Sequence, residues 1–250
     1  MLLVRRVRRQ VSVLQTRASR DRTPPAECFT GGVELPSGSL DLGVPSDRCL
    51  VFLPGFACPP RAYRSFLAPV ALRVGRVVVL AVGSLGAQVT GRSTPGNEAV
   101  RTVELVDRLR ADGVRVWLGG HSRGGLVAWH ATPMARAAGL VLVDPVSGGG
   151  PPWHPPEPPP PIDPDGPVTV IGFEHGGRCA PAGRNHEAFA EVLPAAAHEV
   201  VPECAHADIL DGAVGRFGRL TCGHAPDPAA AADAARSAVL DALGATGALG

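Results

Sequence analysis

The stretch "VWLGGHSRGGLVAW", residues 116–129, decides how this chain is read. An apolar run of strand character leads into it, and a run compatible with a helix, "GLVAWHATPMARAA" from Gly125, leads out. At the junction, Gly120-His121-Ser122-Arg123-Gly124 fits G-x-S-x-G, and Gly125 follows. A strand that turns sharply into a helix forces the corner residue into a strained backbone. It needs glycine neighbours, and it leaves the corner hydroxyl projecting over the sheet. A bare match to this pattern is weak because Gly and Ser are common. The strand before it and the helix after it make Ser122 a candidate nucleophile rather than one turn residue among many.

Working outward, short apolar runs rich in Val and Leu recur at "CLVFL" (49–53), "RVVVLAV" (76–82), "VRVWLGG" (114–120), "LVLVDPV" (140–146) and "VTVIGF" (168–173). They lack alternation and are bounded by Gly or Pro, so they read as strands buried on both faces of a parallel sheet. Helical patterns fall at about 60–73, 97–112, 123–137, 185–193 and 228–243. Alternating strands and helices predict a doubly wound α/β sheet. The exception is "SGGGPPWHPPEPPPPIDPDGP" (147–167), where proline removes backbone donors and favours extended chain. It is a short excursion before the penultimate core strand, and it leaves the carboxyl edge of the sheet, where ligand sites of open α/β sheets lie. A cap over a pocket is the functional reading, and a solvated surface loop the plain one.

Composition narrows the function classes. The chain has 250 residues, 45% of them hydrophobic, which suffices for one large core. A formal charge of +1 and 4% aromatic residues argue against nucleic-acid binding. No apolar run approaches the roughly 20 residues of a transmembrane helix. Residues 1–27 carry Arg5, Arg6, Arg8, Arg9, Arg17 and Arg20 before any acid, with Val4, Val7, Val11 and Leu14 at helical spacing. A basic amphipathic helix, an organellar presequence and a misassigned start are all compatible with this. The favoured reading is a loosely attached extension ahead of one domain over 28–250. The six cysteines show no CxxC pair and no metal-like spacing, so no metal site is expected. Isolated reduced thiols are the first expectation, with a Cys204–Cys222 bridge left open.

A serine hydroxyl needs a base to take its proton and a carboxylate to orient that base. His175, His186, His198, His206 and His224 lie downstream of Ser122. In "HEVVPECAHADILDG" an apolar strand runs into His206 in a small-residue loop, which makes His206 the candidate base, whereas His198 would begin the strand. His121, inside the elbow, is expected to pack beside the turn. Two acids compete: Asp144 ends "LVLVD" and Glu174 ends the next strand in "VIGFEHGG". Asp163, Asp208 and Asp211 read as solvated or capping residues. Attack on an ester also requires two donors for the oxyanion, each contributing about 3 kcal/mol. One is the backbone N–H of Arg123, and the other is assigned to Phe56 in "PGFACPP" after the early strand. The Arg123 side chain is expected to pack or pair at the pocket rim, with no catalytic role.

With these pieces in hand, the sequence resembles the chlorophyllase family of α/β-hydrolases. "GHSRGG" (120–125), "VDPVSG" (143–148), "CAPAGRNHEAF" (179–189) and "HADILDG" (206–212) match that family's elbow, VDPVDG, CAP-G-NHE-F and GH-D-LDD segments in order. Together with "VFLPGF" they span about residues 49–225. The resemblance implies an α/β-hydrolase fold and a Ser122, Asp144, His206 triad with Glu174 held in reserve. It also implies hydrolysis of the phytyl ester of chlorophyll and action on simpler carboxylic esters; the serine mechanism itself is expected to need neither metal nor organic cofactor. Four positions depart from the family pattern: Pro54 for the histidine of its HGF turn, Ser147 for the second Asp of VDPVDG, Leu126 for a usual Lys, and Ala205 for a usual Gly. They leave a general carboxylesterase, lipase or polyester hydrolase as the alternative substrate reading. A noncatalytic binding protein on the same scaffold is the alternative of another class. The expected partner is a small hydrophobic ester. The expected compartment is the cytoplasm in a bacterium or the chloroplast in a photosynthetic eukaryote.

Overall fold

The computed structural model describes residues 33–148 and 158–249. The basic extension 1–27 and the middle of the proline-rich segment lie outside the described residues. Among the described residues seven strands form one sheet: β1 (Leu40–Gly43), β2 (Arg48–Leu53), β3 (Arg76–Val79), β4 (Arg115–His121), β5 (Leu140–Val143), β6 (Val168–His175) and β7 (Ala197–Ala205). Their spatial order is β1-β3-β2-β4-β5-β6-β7. Only β1 is antiparallel to its neighbour; every other pairing is parallel. β7 forms one edge, and it carries Glu199, Pro202 and Glu203.

The helices are α1 (Arg64–Val74), α2 (Leu85–Val89), α3 (Pro95–Ala111), α4 (Arg123–Ala135), α5 (His186–Val192), α6 (Gly212–Cys222) and α7 (Pro228–Ala245), with a 3-10 turn at Pro60–Tyr63. They cover both faces of the sheet. Leu50 and Phe52 of β2 point into a cluster with Phe66, Leu67 and Val70 of α1 and Ala235 and Val239 of α7. Cys49, Val51 and Leu53 of the same strand point into a second cluster with Leu105 and Val106 of α3 and Val127 and Trp129 of α4. Each buried Val, Leu or Phe contributes roughly 1.5–3 kcal/mol by leaving water. With both faces buried, successive residues must all be apolar, which is why the strand sequences do not alternate.

Three elements were not expected. β1 is a four-residue edge whose pattern is mostly exposed, so no apolar run announces it. α2 is a single five-residue turn capped by Ser84, whose side chain accepts from Ala87 N–H. α6 reads "GAVGRFGRLTC", and glycines disfavour a helix. Here packing overrides propensity. A Cβ on Gly215 would come within 2.0 Å of the Leu210 carbonyl oxygen, and one on Gly218 within 2.7 Å of Ala207 Cβ. The inner face of α6 therefore has to be bare, while Phe217 and Leu220 face outward and are exposed.

The cysteine expectation is corrected. Cys179 and Cys222 form a disulfide, with Cα atoms 5.2 Å apart. The chain at Gly177 is pressed onto the Cys222 carbonyl, so the two thiols are brought together by the packing of α6. Cys204 is buried in the core and stays free, as do Cys49 and Cys58. Residues 158–167 return irregularly to β6, and Trp129 Nε1 donates to the Pro160 carbonyl at 2.7 Å. No helix among the described residues is long and apolar enough to cross a membrane.

Candidate active site

β4 runs into the elbow, and Ser122 stands at the corner with φ 55° and ψ −128° before α4 begins at Arg123. A side chain in this region is strained and is held only by its surroundings. The glycines around it leave no alternative. A Cβ on Gly120 would meet the Gly124 carbonyl oxygen at 2.4 Å. One on Gly124 would meet the Leu53 carbonyl oxygen at 2.1 Å, and one on Gly125 the Pro145 ring at 2.7 Å. The elbow is also bonded to the end of β5: Ser122 N–H donates to Val143 O at 3.2 Å, and Val146 N–H donates to Ser122 O at 3.1 Å.

The structure brings Ser122, His206 and Asp144 into one line. Ser122 Oγ lies 3.0 Å from His206 Nε2, and His206 Nδ1 lies 2.6 Å from Asp144 Oδ2. The second oxygen of Asp144 accepts from Phe173 N–H at 3.2 Å, which fixes the carboxylate. Asp144 is fully buried and turns the chain out of β5 at φ 39°. His206 follows β7, and its N–H donates to the His175 carbonyl. The reserve acid, Glu174, sits elsewhere: it is exposed, and its carboxylate accepts from Glu203 N–H at 2.8 Å. Among the other downstream histidines, His186 and His198 pair with each other at 2.8 Å, while His175 is exposed beside Glu203.

The remaining acids hold the loops. Asp208, expected to be solvated or capping, is buried, and it accepts from Ala205 N–H at 2.9 Å and Ala225 N–H at 3.0 Å. Asp211 accepts from Ser65 N–H at 2.8 Å, capping the start of α1. The loop that carries Phe56 passes close to Ser122: a Cβ on Gly55 would lie 3.2 Å from Ser122 Cβ. Phe56 itself is partly exposed, and Arg123 opens α4, where helix N–H groups point outward along the axis.

The Arg123 side chain pairs, as expected, but inside the protein rather than at a pocket rim. It is buried in an ion pair with Glu98 of α3, and its Nη2 donates to the Ser93 carbonyl at 2.9 Å. Ser93 Oγ donates in turn to Glu98 Oε1 at 2.6 Å. The sequence does carry a signal for this: Glu98 occupies the first position of the stripe Glu98, Thr102, Leu105, Leu109 that α3 buries. His121 is buried as well, its ring 4.5 Å from that of His206, and burial pushes its pKa well below the ordinary value for histidine.

Of the four departures from the family motifs, three lie in packing. Ser147 is buried and donates through N–H and Oγ to the Arg184 carbonyl, joining two motif segments. Leu126 and Ala205 are core residues. Pro54 differs, because it lines a cavity of about 360 Å³ together with Ala57, Val82, Leu85 and Gln88. Among the described residues, Glu174, His175 and Glu203 have ligand atoms close enough for a cation, but all three are exposed, a common arrangement without an ion.

The family model for chlorophyllase matches residues 97–225, just over half of the chain. Among curated proteins no sequence match is found. Among solved structures the chain is similar to Thermogutta terrifontis esterase 2 in its apo form, at 16% identity over 85% of this chain and 90% of that one, with TM-score 0.56. It is also similar to the NocB thioesterase domain of the nocardicin cluster, at 19% identity over 84% and 100%, with TM-score 0.55. A third is a protein of the α/β hydrolase superfamily from Xanthomonas campestris pv. campestris, at 20% identity over 77% and 98%, with TM-score 0.50. At these identities the likeness establishes the α/β-hydrolase fold.

Proposed function

Because this chain belongs to the chlorophyllase family and is a carboxylic-ester hydrolase of α/β-hydrolase fold, we propose that it cleaves the phytyl ester of chlorophyll to chlorophyllide and phytol through Ser122, His206 and Asp144. The hydrolytic part of this reading rests on one observation, the line from Ser122 Oγ through both His206 nitrogens to Asp144 Oδ2 at 3.0 and 2.6 Å, and the phytyl ester is what the family suggests. Ser122 Oγ attacks the ester carbonyl while His206 Nε2 takes its proton, and Asp144 stabilises the imidazolium that forms. Phe56 and Arg123 N–H groups receive the oxyanion, each contributing about 3 kcal/mol to lowering the barrier. The alcohol leaves with the proton from His206, and water then resolves the acyl-enzyme with His206 as base.

The strain at Ser122 has a use in this scheme. A hydroxyl fixed at φ 55° needs no reorganisation to reach the attacking position, so its ordering is completed on folding rather than on binding. No cofactor is required. A general carboxylesterase is the second reading, favoured by Pro54, which replaces a polar turn residue of the family with an apolar wall of the neighbouring cavity. Hydrolysis of a chromogenic short-chain ester tests the chemistry: Ser122→Ala should lower kcat by at least about 10³-fold, and an unchanged rate would remove Ser122 as nucleophile. A detergent-dispersed chlorophyll assay followed by solvent partition tests the substrate. Pigment should move to the polar phase with phytol released, and active enzyme that leaves the pigment intact selects the general esterase.

A further inference from the structure

Tyr63 and His121 are not members of the triad, yet both are fully buried within one hydrogen-bonded chain that ends on the base. Gly55 N–H donates to Tyr63 Oη at 2.8 Å. Tyr63 Oη lies 2.8 Å from His121 Nδ1, and His121 Nε2 lies 3.0 Å from the His206 carbonyl oxygen. The direction of every proton follows from which groups can accept. A carbonyl oxygen only accepts, so His121 Nε2 must carry a hydrogen and Nδ1 must be the acceptor. A backbone N–H only donates, so Tyr63 Oη accepts from Gly55 and gives its own hydrogen to Nδ1. The Cys58 thiol stands beside the same hydroxyl, with its pKa pushed up to about 11 by burial, and as a neutral thiol it is the weaker acceptor.

We infer that Tyr63 and His121 are positioning residues: by locking His121 as the neutral Nε2–H tautomer, Tyr63 ties the oxyanion loop, the nucleophile elbow and the base loop into one rigid unit. Gly55 precedes Phe56, His121 precedes Ser122, and the acceptor at the far end is the main chain of His206 itself. The three loops come from the ends of β2, β4 and β7, and each contributes a group to the reaction proposed above, on which this inference rests. Neutrality of His121 matters as well. Its ring is 4.5 Å from that of His206, so a second cation there would oppose formation of the His206 imidazolium. Burial, together with the neighbouring His206, keeps His121 uncharged. Without the Tyr63 hydroxyl, Nδ1 has no donor, the ring is free to change tautomer, and a lone pair at Nε2 would face the His206 carbonyl.

The test uses the full chain, a soluble chromogenic ester, and three variants: Tyr63→Phe, His121→Gln and His121→Leu. Tyr63→Phe should lower kcat roughly 10- to 100-fold, the scale of a small misplacement of reacting groups, with KM changed by less than about twofold. His121→Gln, which can donate to the His206 carbonyl and accept from Tyr63, should keep kcat within about threefold, whereas His121→Leu should fall with Tyr63→Phe. Imidazole ¹⁵N spectra should show His121 as the Nε2–H tautomer in the wild type and as a mixture in Tyr63→Phe, a signature that packing alone would not move. Wild-type kcat in Tyr63→Phe, equal activity of the two His121 variants, or an Nδ1–H tautomer in the wild type would each overturn the inference. Should Tyr63→Phe fail to fold, the His121 pair and the wild-type spectrum still decide. Ser122→Ala run alongside separates the two failures: an active Ser122→Ala sinks the triad, whereas an inactive one beside a fully active Tyr63→Phe sinks only the positioning role.

Discussion

Asp144 spends both of its oxygens, one on His206 Nδ1 and one on Phe173 N–H, and no part of it reaches solvent. In the proposed reaction its work is to hold one histidine tautomer. Asn at the same place has one oxygen and one amide, so the side chain can satisfy Phe173 N–H while presenting NH₂ to Nδ1. The ring then turns its lone pair inward and its hydrogen toward Ser122. Asp144→Asn should therefore lower kcat by roughly 10³- to 10⁴-fold with little change in thermal midpoint. Steady-state rates on a soluble ester and a melting curve check it, and a loss below about tenfold would point to a different acid. At this scale the sequence was partly legible. Ser122 and His206 stand out because glycines and a strand end mark them, but the choice between Asp144 and Glu174 needed the family resemblance. Tyr63 could not be seen at all, because its partner His121 lies 58 residues away and no motif surrounds it.

The helix α6 shows why an element can escape sequence reading yet carry weight. Its inner face is glycine against the Ala207–Leu210 turn, and its outer face shows Phe217 and Leu220 to solvent, the reverse of an ordinary amphipathic pattern. Little apolar burial holds it, and the Cys179–Cys222 disulfide ties its last residue covalently to the loop before α5. That bond closes a loop of 43 residues running through α5, β7 and the His206 turn, and in the chain-entropy model such closure contributes about 4 kcal/mol. Cys222→Ala, or reductant on the wild type, should lower the urea midpoint and lower esterase activity together. Equal midpoints with and without reductant would show that α6 is held by other contacts. The pairing was illegible because cysteine spacing says nothing about which loop packs on which helix, whereas β2 to β6 were legible from their continuous apolar runs.

For the molecule as a whole, stability is coupled to pH through histidines that folding keeps neutral. Burial lowers the pKa of His121, His130 and His186. Below about pH 6.5 the unfolded chain takes up protons at these sites while the folded chain does not. Their contribution is complete above that pH and is lost as pH falls through it. For His121, the most deeply buried of the three, the loss continues furthest as the pH falls. Urea midpoints should fall between pH 7.5 and 5.5, and the slope should be shallower in His121→Gln. A midpoint that rises on acidification would contradict the buried neutral ring. The doubly wound sheet itself was read directly from the alternation of apolar runs and helical patterns, since each parallel strand must be apolar on both faces. The Arg123–Glu98 pair that clamps α3 to the elbow was only half legible: the buried stripe of α3 marks Glu98, but only the fold shows that Arg123 meets it.

The edge strand β7 has one more consequence. A sheet edge is an open row of main-chain donors and acceptors that a strand from another chain can extend. Pro202 has no N–H to offer, and Glu199 and Glu203 place negative charge along the same strand. Strand addition at this edge is thereby discouraged, and a self-propagating cross-β stack finds no clean template. Association along β7 is therefore left to its side chains rather than its main chain, whereas the opposite edge, β1, is limited only by its length of four residues.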